Sequence, residues 1–171
     1  MCLKHPPAFD HTLAALDFEF PVSAMLRRYK YSGFLAVAEL MGHLLAEQVS
    51  TNRDIDLVIP MPLHTSRLQV RGFNQALEIA RVVCRLNHIP LALQACSRTR
   101  ATPPQAGLSL HERKKNLRGV FSCDQDLSGK RIALLDDVMT TGASLDALAN
   151  CVKKAGASHV ECWVAARTLK N

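Results

Sequence analysis

The fold is decided by the stretch Ile132-Ala133-Leu134-Leu135-Asp136-Asp137-Val138-Met139-Thr140-Thr141-Gly142-Ala143-Ser144. Its start predicts a buried strand over 131–135, because strands of a covered parallel sheet are apolar at consecutive positions. Two adjacent carboxylates end this strand, and such a pair repels and rarely serves stability alone. A loop of hydroxyl residues and one glycine then opens a helix, whose backbone N–H groups and dipole favour an anion. The stretch therefore offers acceptors for a diol beside donors for a phosphate, the two groups that a ribose 5-phosphate presents.

Strands and helices alternate along the rest of the chain. Apolar patterns and breaker residues predict strands over 14–20, 56–59, 89–96, 131–135 and 159–166. The same reasoning predicts helices over 22–29, 35–49, 74–87, 109–117 and 144–155, a turn over 30–33 and a loop over 98–107. This alternation predicts an α/β fold with a parallel sheet covered on both faces. Function in such sheets lies at the carboxyl ends of strands, which here are Pro60-Met61-Pro62 and Asp136-Asp137.

Length and composition fit one globular domain. The chain has 171 residues, of which 48% are hydrophobic and 21% charged, so disorder throughout the chain is excluded. No apolar run approaches the roughly 20 residues of a membrane span, and no secretory signal follows Met1. We therefore expect a cytoplasmic protein without membrane insertion.

The cysteines and histidines show no metal-binding pattern. The six cysteines form no C-x-x-C pair, which argues against a zinc or redox site, and the lack of a signal peptide argues against a disulfide framework. Cys84, Cys151 and Cys162 fall in apolar runs, and we expect them to be small buried hydrophobic residues. The seven histidines are scattered without paired ligand spacing.

Positive charge is concentrated in two segments of a chain with a net charge of +6. The segment 98–118 holds six basic residues and one acidic residue. A second basic group consists of Arg67, Arg71, Arg81 and Arg85. Glu78 is the only acidic residue between its first and last members. Either group alone is typical of a solvated helix face, whereas two in one small domain favour a polyanionic partner, either a phosphorylated small molecule or nucleic acid. Two tyrosines and one tryptophan argue against a dedicated platform for stacking single-stranded bases.

The stretch 132–144 resembles the phosphoribosyl pyrophosphate (PRPP) signature of type I phosphoribosyltransferases: four apolar residues, two acids, an apolar residue, any residue, then Thr-Thr-Gly and small residues. This resemblance implies that Asp136 and Asp137 hold the ribose hydroxyls. It implies that the 5-phosphate is bound by Thr140, Thr141, Gly142, Ala143 and Ser144. The implied fold is a single domain over 1–171, with a central, mostly parallel sheet flanked by helices, a core at 56–167 and a small N-terminal hood at about 8–34.

Further blocks resemble the ComF family of competence-associated phosphoribosyltransferase-like proteins, the ComFC and GntX relatives. They include Lys30-Tyr31-Ser32-Gly33, the run from Pro60 through Arg71-Gly72-Phe73-Asn74-Gln75, and the run from Arg98 to Phe121. The resemblance implies a pyrophosphate loop with Met61, Pro62, Leu63, His64 and Arg67. It also implies a mobile loop with Arg100, Gln105, Arg113 and Asn116. For Arg113 a solvated helical face is an equal alternative.

The resemblance implies Mg²⁺ bound together with PRPP and no metal site built from protein ligands alone. ComF relatives usually carry an N-terminal zinc ribbon. Here Cys2-Leu3-Lys4 resembles only the tail of that ribbon. We therefore expect no zinc, and either the ribbon was lost or the true start lies upstream.

Several functions remain open from the sequence. The first is a phosphoribosyltransferase with an unassigned acceptor, which the signature favours. The second is a PRPP-regulated, single-stranded DNA-binding protein of DNA uptake, and the third is a non-catalytic PRPP sensor. A purine or pyrimidine salvage enzyme is disfavoured because the flanking blocks are ComF-like. Expected partners are PRPP and either single-stranded DNA or competence proteins, and the sequence leaves a homodimer open.

Overall fold

The computed structural model describes residues 6–32, 35–49, 54–101, 116–117 and 119–168, with the side chains of residues 31 and 32 left out. The six strands are β1 (His11–Asp17), β2 (Leu57–Pro60), β3 (Cys96–Arg98), β4 (Phe121–Cys123), β5 (Arg131–Met139) and β6 (His159–Arg167). The helices in this part of the chain are α1 (Val22–Ser32), α2 (Ala36–Gln48), α3 (Thr65–Arg71), α4 (Gln75–Asn87) and α5 (Ala143–Lys154).

A parallel four-stranded sheet in the order β1-β6-β5-β2 forms the centre of the fold. Its two inner strands are almost wholly buried, as their continuous apolar sequences predict. Because all four strands run in one direction, their carboxyl ends share one edge of the sheet. The predicted α/β class with a mostly parallel sheet flanked by helices is confirmed. A separate antiparallel pair joins β3 and β4.

Helices α2 and α4 pack closely against each other beside this sheet. A Cβ atom added at Gly42 of α2 would lie 2.5 Å from the Cβ of Val82 on α4, so the contact requires a residue without a side chain. On α4, Ile79, Ala80 and Val83 are fully buried at helical spacing. Helix α4 is therefore fixed at the end of β2, where the predicted pyrophosphate loop begins.

Several predicted boundaries are wrong. The strand predicted over 14–20 is β1 at His11–Asp17, because its earlier residues pair with β6. The turn predicted over 30–33 is helical at its start, since α1 continues to Ser32. The strand predicted over 89–96 reduces to one parallel bridge between Leu91 and Val58, and the chain starts the separate strand β3 at Cys96.

Two further differences affect the site. Strand β5 continues to Met139, because Asp136 and Val138 pair with Val164 and Ala166 of β6. The two carboxylates therefore lie within the strand rather than after it. Helix α3 and strand β4 were not predicted, since segments of seven and three residues are too short to show a clear periodicity.

Among the described residues, no helix combines the length and the apolar character that crossing a bilayer requires. The division into hood and core stays a prediction.

Candidate phosphate and ribose site

The two carboxylates of β5 reach different neighbours. Successive side chains of a strand point to opposite faces, so Asp136 and Asp137 diverge. Asp137 is 7% exposed and Asp136 is half-buried. The backbone N–H of Asp137 donates a hydrogen bond of 2.8 Å to Oδ1 of Asp136. This hydrogen bond orients the Asp136 carboxylate at the carboxyl edge of the sheet.

Asp137 forms an ion pair with Lys30, whose Nζ lies 2.9 Å from Oδ2. The preceding residue, Tyr29, fixes the end of α1 in this position. Its buried hydroxyl donates to the carbonyl oxygen of Gln75 at 3.3 Å, and its ring packs 5.2 Å from that of Phe73. Lys30 is a site residue that sequence reasoning missed, because a predicted turn hid its helical position. The Lys30-Tyr31-Ser32-Gly33 block was the available signal.

The electrostatic environment of Asp136 is unusual for a carboxylate. Burial raises the pKa of Asp136 above its ordinary value, and the charge of Asp137 raises it further. The hydrogen bond from the Asp137 backbone and the charge of Lys30 oppose this shift. Perturbed acids of this kind are typical of functional sites.

Arg98 feels the charges of both Asp136 and Arg67. Burial lowers the pKa of Arg98, the nearby charge of Arg67 lowers it further, and the charge of Asp136 raises it. The Arg98 guanidinium also lies 5.6 Å from the centre of the Phe121 ring. The structure therefore brings Arg98 toward the acidic pair and places Arg67, predicted in the pyrophosphate loop, close to Arg98.

The loop after β5 forms a small depression that also includes Asp136. It is lined by all five predicted 5-phosphate residues, Thr140, Thr141, Gly142, Ala143 and Ser144. Gly142 precedes α5 with φ +75°, a left-handed conformation that favours glycine. Gly142 has no side chain to cap α5, and the first N–H of the helix, that of Ala143, donates to the Thr141 hydroxyl oxygen at 3.5 Å. The positive dipole end of α5 lies at the depression, since Ala143, Ser144 and Leu145 line it. The arrangement suits a phosphate group.

The predicted pyrophosphate loop lies next to the acidic pair. Its first backbone N–H, that of Met61, donates to the carbonyl oxygen of Leu135 at 2.8 Å. Asn74 holds the same residue from the other side, since its Nδ2 donates to the carbonyl oxygen of Met61 at 3.1 Å. The Asn74 Oδ1 also caps α4 by accepting from Ala76 and Leu77. Asn74 thus couples the loop to a helix start, a role that the sequence alone did not reveal.

The side chains of this loop differ in what they offer. Met61 and Pro62 are buried, so they present backbone rather than side chain, and Leu63 is half-buried. His64 caps α3 through its Nδ1, which accepts from the N–H of Ser66 at 3.3 Å. His64 therefore has a structural task in this position.

The predicted mobile loop is only partly described. Nη2 of Arg100 donates to the carbonyl oxygen of Asn116 at 3.3 Å, so these two residues are neighbours. Gln105 and Arg113 lie outside the described residues. In the described ranges, no group of three or more histidine, cysteine or acidic side chains is placed to hold a metal ion.

Comparison with known proteins identifies relatives along almost the whole chain, although no family model matches. The chain is 32% identical over 174 residues to the DNA utilization protein YhgH of Shigella flexneri, covering 98% of this chain and 77% of that protein. It is 29% identical over 175 residues to competence protein F of Haemophilus influenzae, covering 97% and 76%.

The structure resembles a solved glutamine PRPP amidotransferase from B. subtilis with a TM-score of 0.52 and 19% identity. The match covers 77% of this chain and 26% of that one. At this identity the likeness shows the fold alone, which is the predicted type I phosphoribosyltransferase fold. With that fold and with relatives that match it over nearly its full length, the chain belongs to the ComF family of DNA utilization and competence proteins.

Proposed function

We propose that this protein binds PRPP together with Mg²⁺ at the edge formed by β2 and β5, and that it transfers the phosphoribosyl group to an acceptor that remains to be identified. One observation carries the proposal. The acidic pair, the loop at Met61 and the start of α5 meet at one sheet edge, with the Met61 N–H bonded to Leu135, the residue before Asp136. The ribose diol of PRPP needs the acidic pair, its pyrophosphate needs the Met61 loop, and its 5-phosphate needs the start of α5.

In this proposal the ribose lies across the carboxyl edge of the sheet, so that one hydroxyl donates to Asp136 on one face and the other to Asp137 on the opposite face. The 5-phosphate accepts hydrogen bonds from the first N–H groups of α5 and from the hydroxyls of Thr141 and Ser144. The pyrophosphate lies against the backbone of the Met61 loop. Here the fixed contacts of Met61 with Leu135 and Asn74 support the proposal, because a preformed loop costs little to order on binding.

Positive charge at the site complements the anionic ligand. Lys30, now paired with Asp137, can turn toward the ligand when the ribose hydroxyls occupy that carboxylate. Arg98 supplies further charge close to Asp136, and Arg67 lies near Arg98. Displacement of pyrophosphate builds positive charge on the ribose and negative charge on the leaving group, so fixed charges of both signs stabilise the transition state.

The residues present fit a magnesium ion that arrives with the ligand. Carboxylate oxygens are hard ligands, and Mg²⁺ commonly keeps waters and phosphate oxygens around one or two protein carboxylates. Asp136 and Asp137 are the residues that would face the ion. When bound, Mg²⁺ neutralises charge on the pyrophosphate.

Calorimetric titration with PRPP and Mg²⁺ tests this proposal. We expect saturable binding to the wild type and loss of binding in Asp136→Asn/Asp137→Asn. The matched control, Glu47→Gln/Asp124→Asn, removes the same charge from exposed positions and should bind like the wild type. Absence of binding to folded wild-type protein would overturn the proposal, as would equal binding by the site variant.

A second candidate is a non-catalytic protein that binds single-stranded DNA under control of PRPP. The names of the relatives, which refer to DNA utilization and competence, favour it. One predicted basic group contributes less than its sequence suggests, because Arg85 pairs with Glu39 and Arg81 with Glu78. Fluorescence anisotropy with a labelled single strand, at rising salt and with or without PRPP, separates the candidates: DNA binding that PRPP modulates, without consumption of PRPP, supports the second.

A further inference from the structure

Three cysteine side chains converge between the β3–β4 pair and α5, in a part of the molecule that the proposed function does not use. Cys96 and Cys123 are direct partners in the antiparallel register. Strand side chains alternate, and the hydroxyls of Ser97 and Ser122 meet at 2.8 Å on the exposed face. Cys96 and Cys123 therefore share the opposite face, which packs toward α5.

Cys151 on α5 meets this face from the helix side. Its Sγ donates to the carbonyl oxygen of Phe121 at 3.5 Å. Its thiol also interacts with that of Cys96, since each of the two alters the pKa of the other. The two thiols are thus neighbours in the fold although 54 residues lie between Cys96 and Cys151 in the sequence. All five cysteines among the described residues are free thiols.

A cavity of about 560 Å³ gives small molecules access to the cluster. Cys123 and Cys151 line it, together with Phe121 and Lys154. Cys96 lies behind them and is 7% exposed. A reagent that enters the cavity therefore meets Cys151 before Cys96. The expectation that Cys151 is simply a buried hydrophobic residue is wrong, because its side chain is half-buried at the cavity wall.

The two neighbouring thiols differ in acidity. The hydrogen bond from Cys96 and, more weakly, the charge of Lys154 lower the pKa of Cys151 to about 7, against the opposing effects of burial and Asp124. The same hydrogen bond and burial raise the pKa of Cys96. The Cys151 thiol is thus the more acidic of the two, the arrangement expected of an attacking and a resolving cysteine.

We propose that Cys151 and Cys96 form a reversible disulfide pair that reacts with hydrogen peroxide entering the cavity. The Cys151 thiolate attacks one peroxide oxygen, the O–O bond breaks, and the departing hydroxide takes a proton to become water. The Cys151 sulfenic acid that results is then attacked by the sulfur of Cys96. This step forms the S–S bond and releases the hydroxyl group with the Cys96 proton as a second water. A dithiol reductant supplies two electrons and two protons to restore both thiols.

This disulfide would join two elements that reach the candidate site. Cys96 lies two positions before Arg98 on β3, and α5 begins at Ala143 in the phosphate loop. The chemistry itself depends only on the thiol cluster and the cavity. It can therefore hold or fail independently of PRPP binding.

Peptide mass mapping after exposure to hydrogen peroxide tests the proposal on the full chain carrying Cys2→Ser, with free thiols blocked by alkylation before digestion. We expect a linked Cys96–Cys151 peptide that disappears after treatment with a dithiol. Cys151→Ser should abolish the link. Cys96→Ser should leave a sulfenic acid at Cys151 that a dimedone probe captures. Cys84→Ser is the matched control, since Cys84 is a buried cysteine outside the cluster, and it should leave the link unchanged.

Two results would overturn the proposal. One is a peroxide-treated protein in which Cys151 stays unmodified while its fold, followed by circular dichroism, is intact. The other is a disulfide between Cys96 and Cys123 that forms equally well in Cys151→Ser. A Cys123→Ser variant that still forms the Cys96–Cys151 link would exclude the cross-strand pair as an intermediate and support the proposal.

Discussion

Asn74 makes two separable contributions, and its substitution tests how the Met61 loop is held. Its Oδ1 caps α4, and its Nδ2 donates to the Met61 carbonyl at 3.1 Å. Loss of a cap costs about 1 kcal/mol, and a net hydrogen bond contributes about 1 kcal/mol. We therefore expect Asn74→Ala to lower the free energy of unfolding by about 2 kcal/mol. Asn74→Ser keeps a capping oxygen but lacks the amide donor, so it should lose only about 1 kcal/mol.

PRPP affinity should depend on the hydrogen bond from Asn74 to Met61 and not on the Asn74 cap of α4. If the Met61 loop must be ordered on binding at a cost of about 1 kcal/mol, PRPP affinity falls about fivefold in Asn74→Ala and in Asn74→Ser alike. Urea denaturation gives the stabilities and calorimetric titration gives the affinities. A folded Asn74→Ser protein that binds PRPP as tightly as the wild type would refute the reasoning, because the loop would then need no support from Asn74.

Three further outcomes follow from particular contacts. Gly42→Ala should destabilise the protein by about 1–3 kcal/mol in urea, because its Cβ would lie 2.5 Å from Val82 Cβ, and Val82→Ala should restore part of the loss. Lys30→Met leaves the Asp137 carboxylate unpaired at 10% exposure, and since Lys30 itself is 27% exposed we expect a loss of only about 1–2 kcal/mol. Adding Asp137→Asn should recover most of that loss, and a double-mutant cycle with no coupling would contradict the ion pair. Burial and the charge of Asp137 raise the pKa of Asp136 in the folded chain above its unfolded-state pKa of about 4. The neutral form of Asp136 therefore stabilises the fold fully below about pH 4, and this contribution is lost as the pH rises through the folded-state pKa. Asp136→Asn should remove this dependence from urea midpoints measured across that range, and an unchanged pH profile would contradict it.

The sequence was most informative where one segment contains both the structural and the chemical pattern. The apolar run before Asp136 predicted the central strand β5, and the Gly142 loop predicted the start of α5. Both depend on residues that are close in the chain, and helix and strand periodicity is readable at that range. The negative charge of the acidic pair was equally apparent, because Asp136 and Asp137 are adjacent in the sequence.

Contacts between distant segments could not be predicted in this way. The ion pair between Lys30 and Asp137, the hydrogen bond from Asn74 to Met61, and the thiol pair of Cys96 with Cys151 each join separate elements. No periodicity encodes which helix end meets which strand end, since this depends on how α1, α4 and α5 pack on the sheet. The short β3–β4 pair was missed for a related reason, because its stability comes from pairing across 22 intervening residues and not from local propensity.

A crystal structure of the protein with PRPP and Mg²⁺ is the most direct test of the central claim, that the sheet edge at β2 and β5 is a PRPP site. We predict the 5-phosphate at the first N–H groups of α5 beside Ser144, the ribose hydroxyls on Asp136 and Asp137, and the pyrophosphate against the Met61 loop. A ligand bound elsewhere on the molecule, with this edge lacking density for PRPP at saturating concentration, would contradict the account.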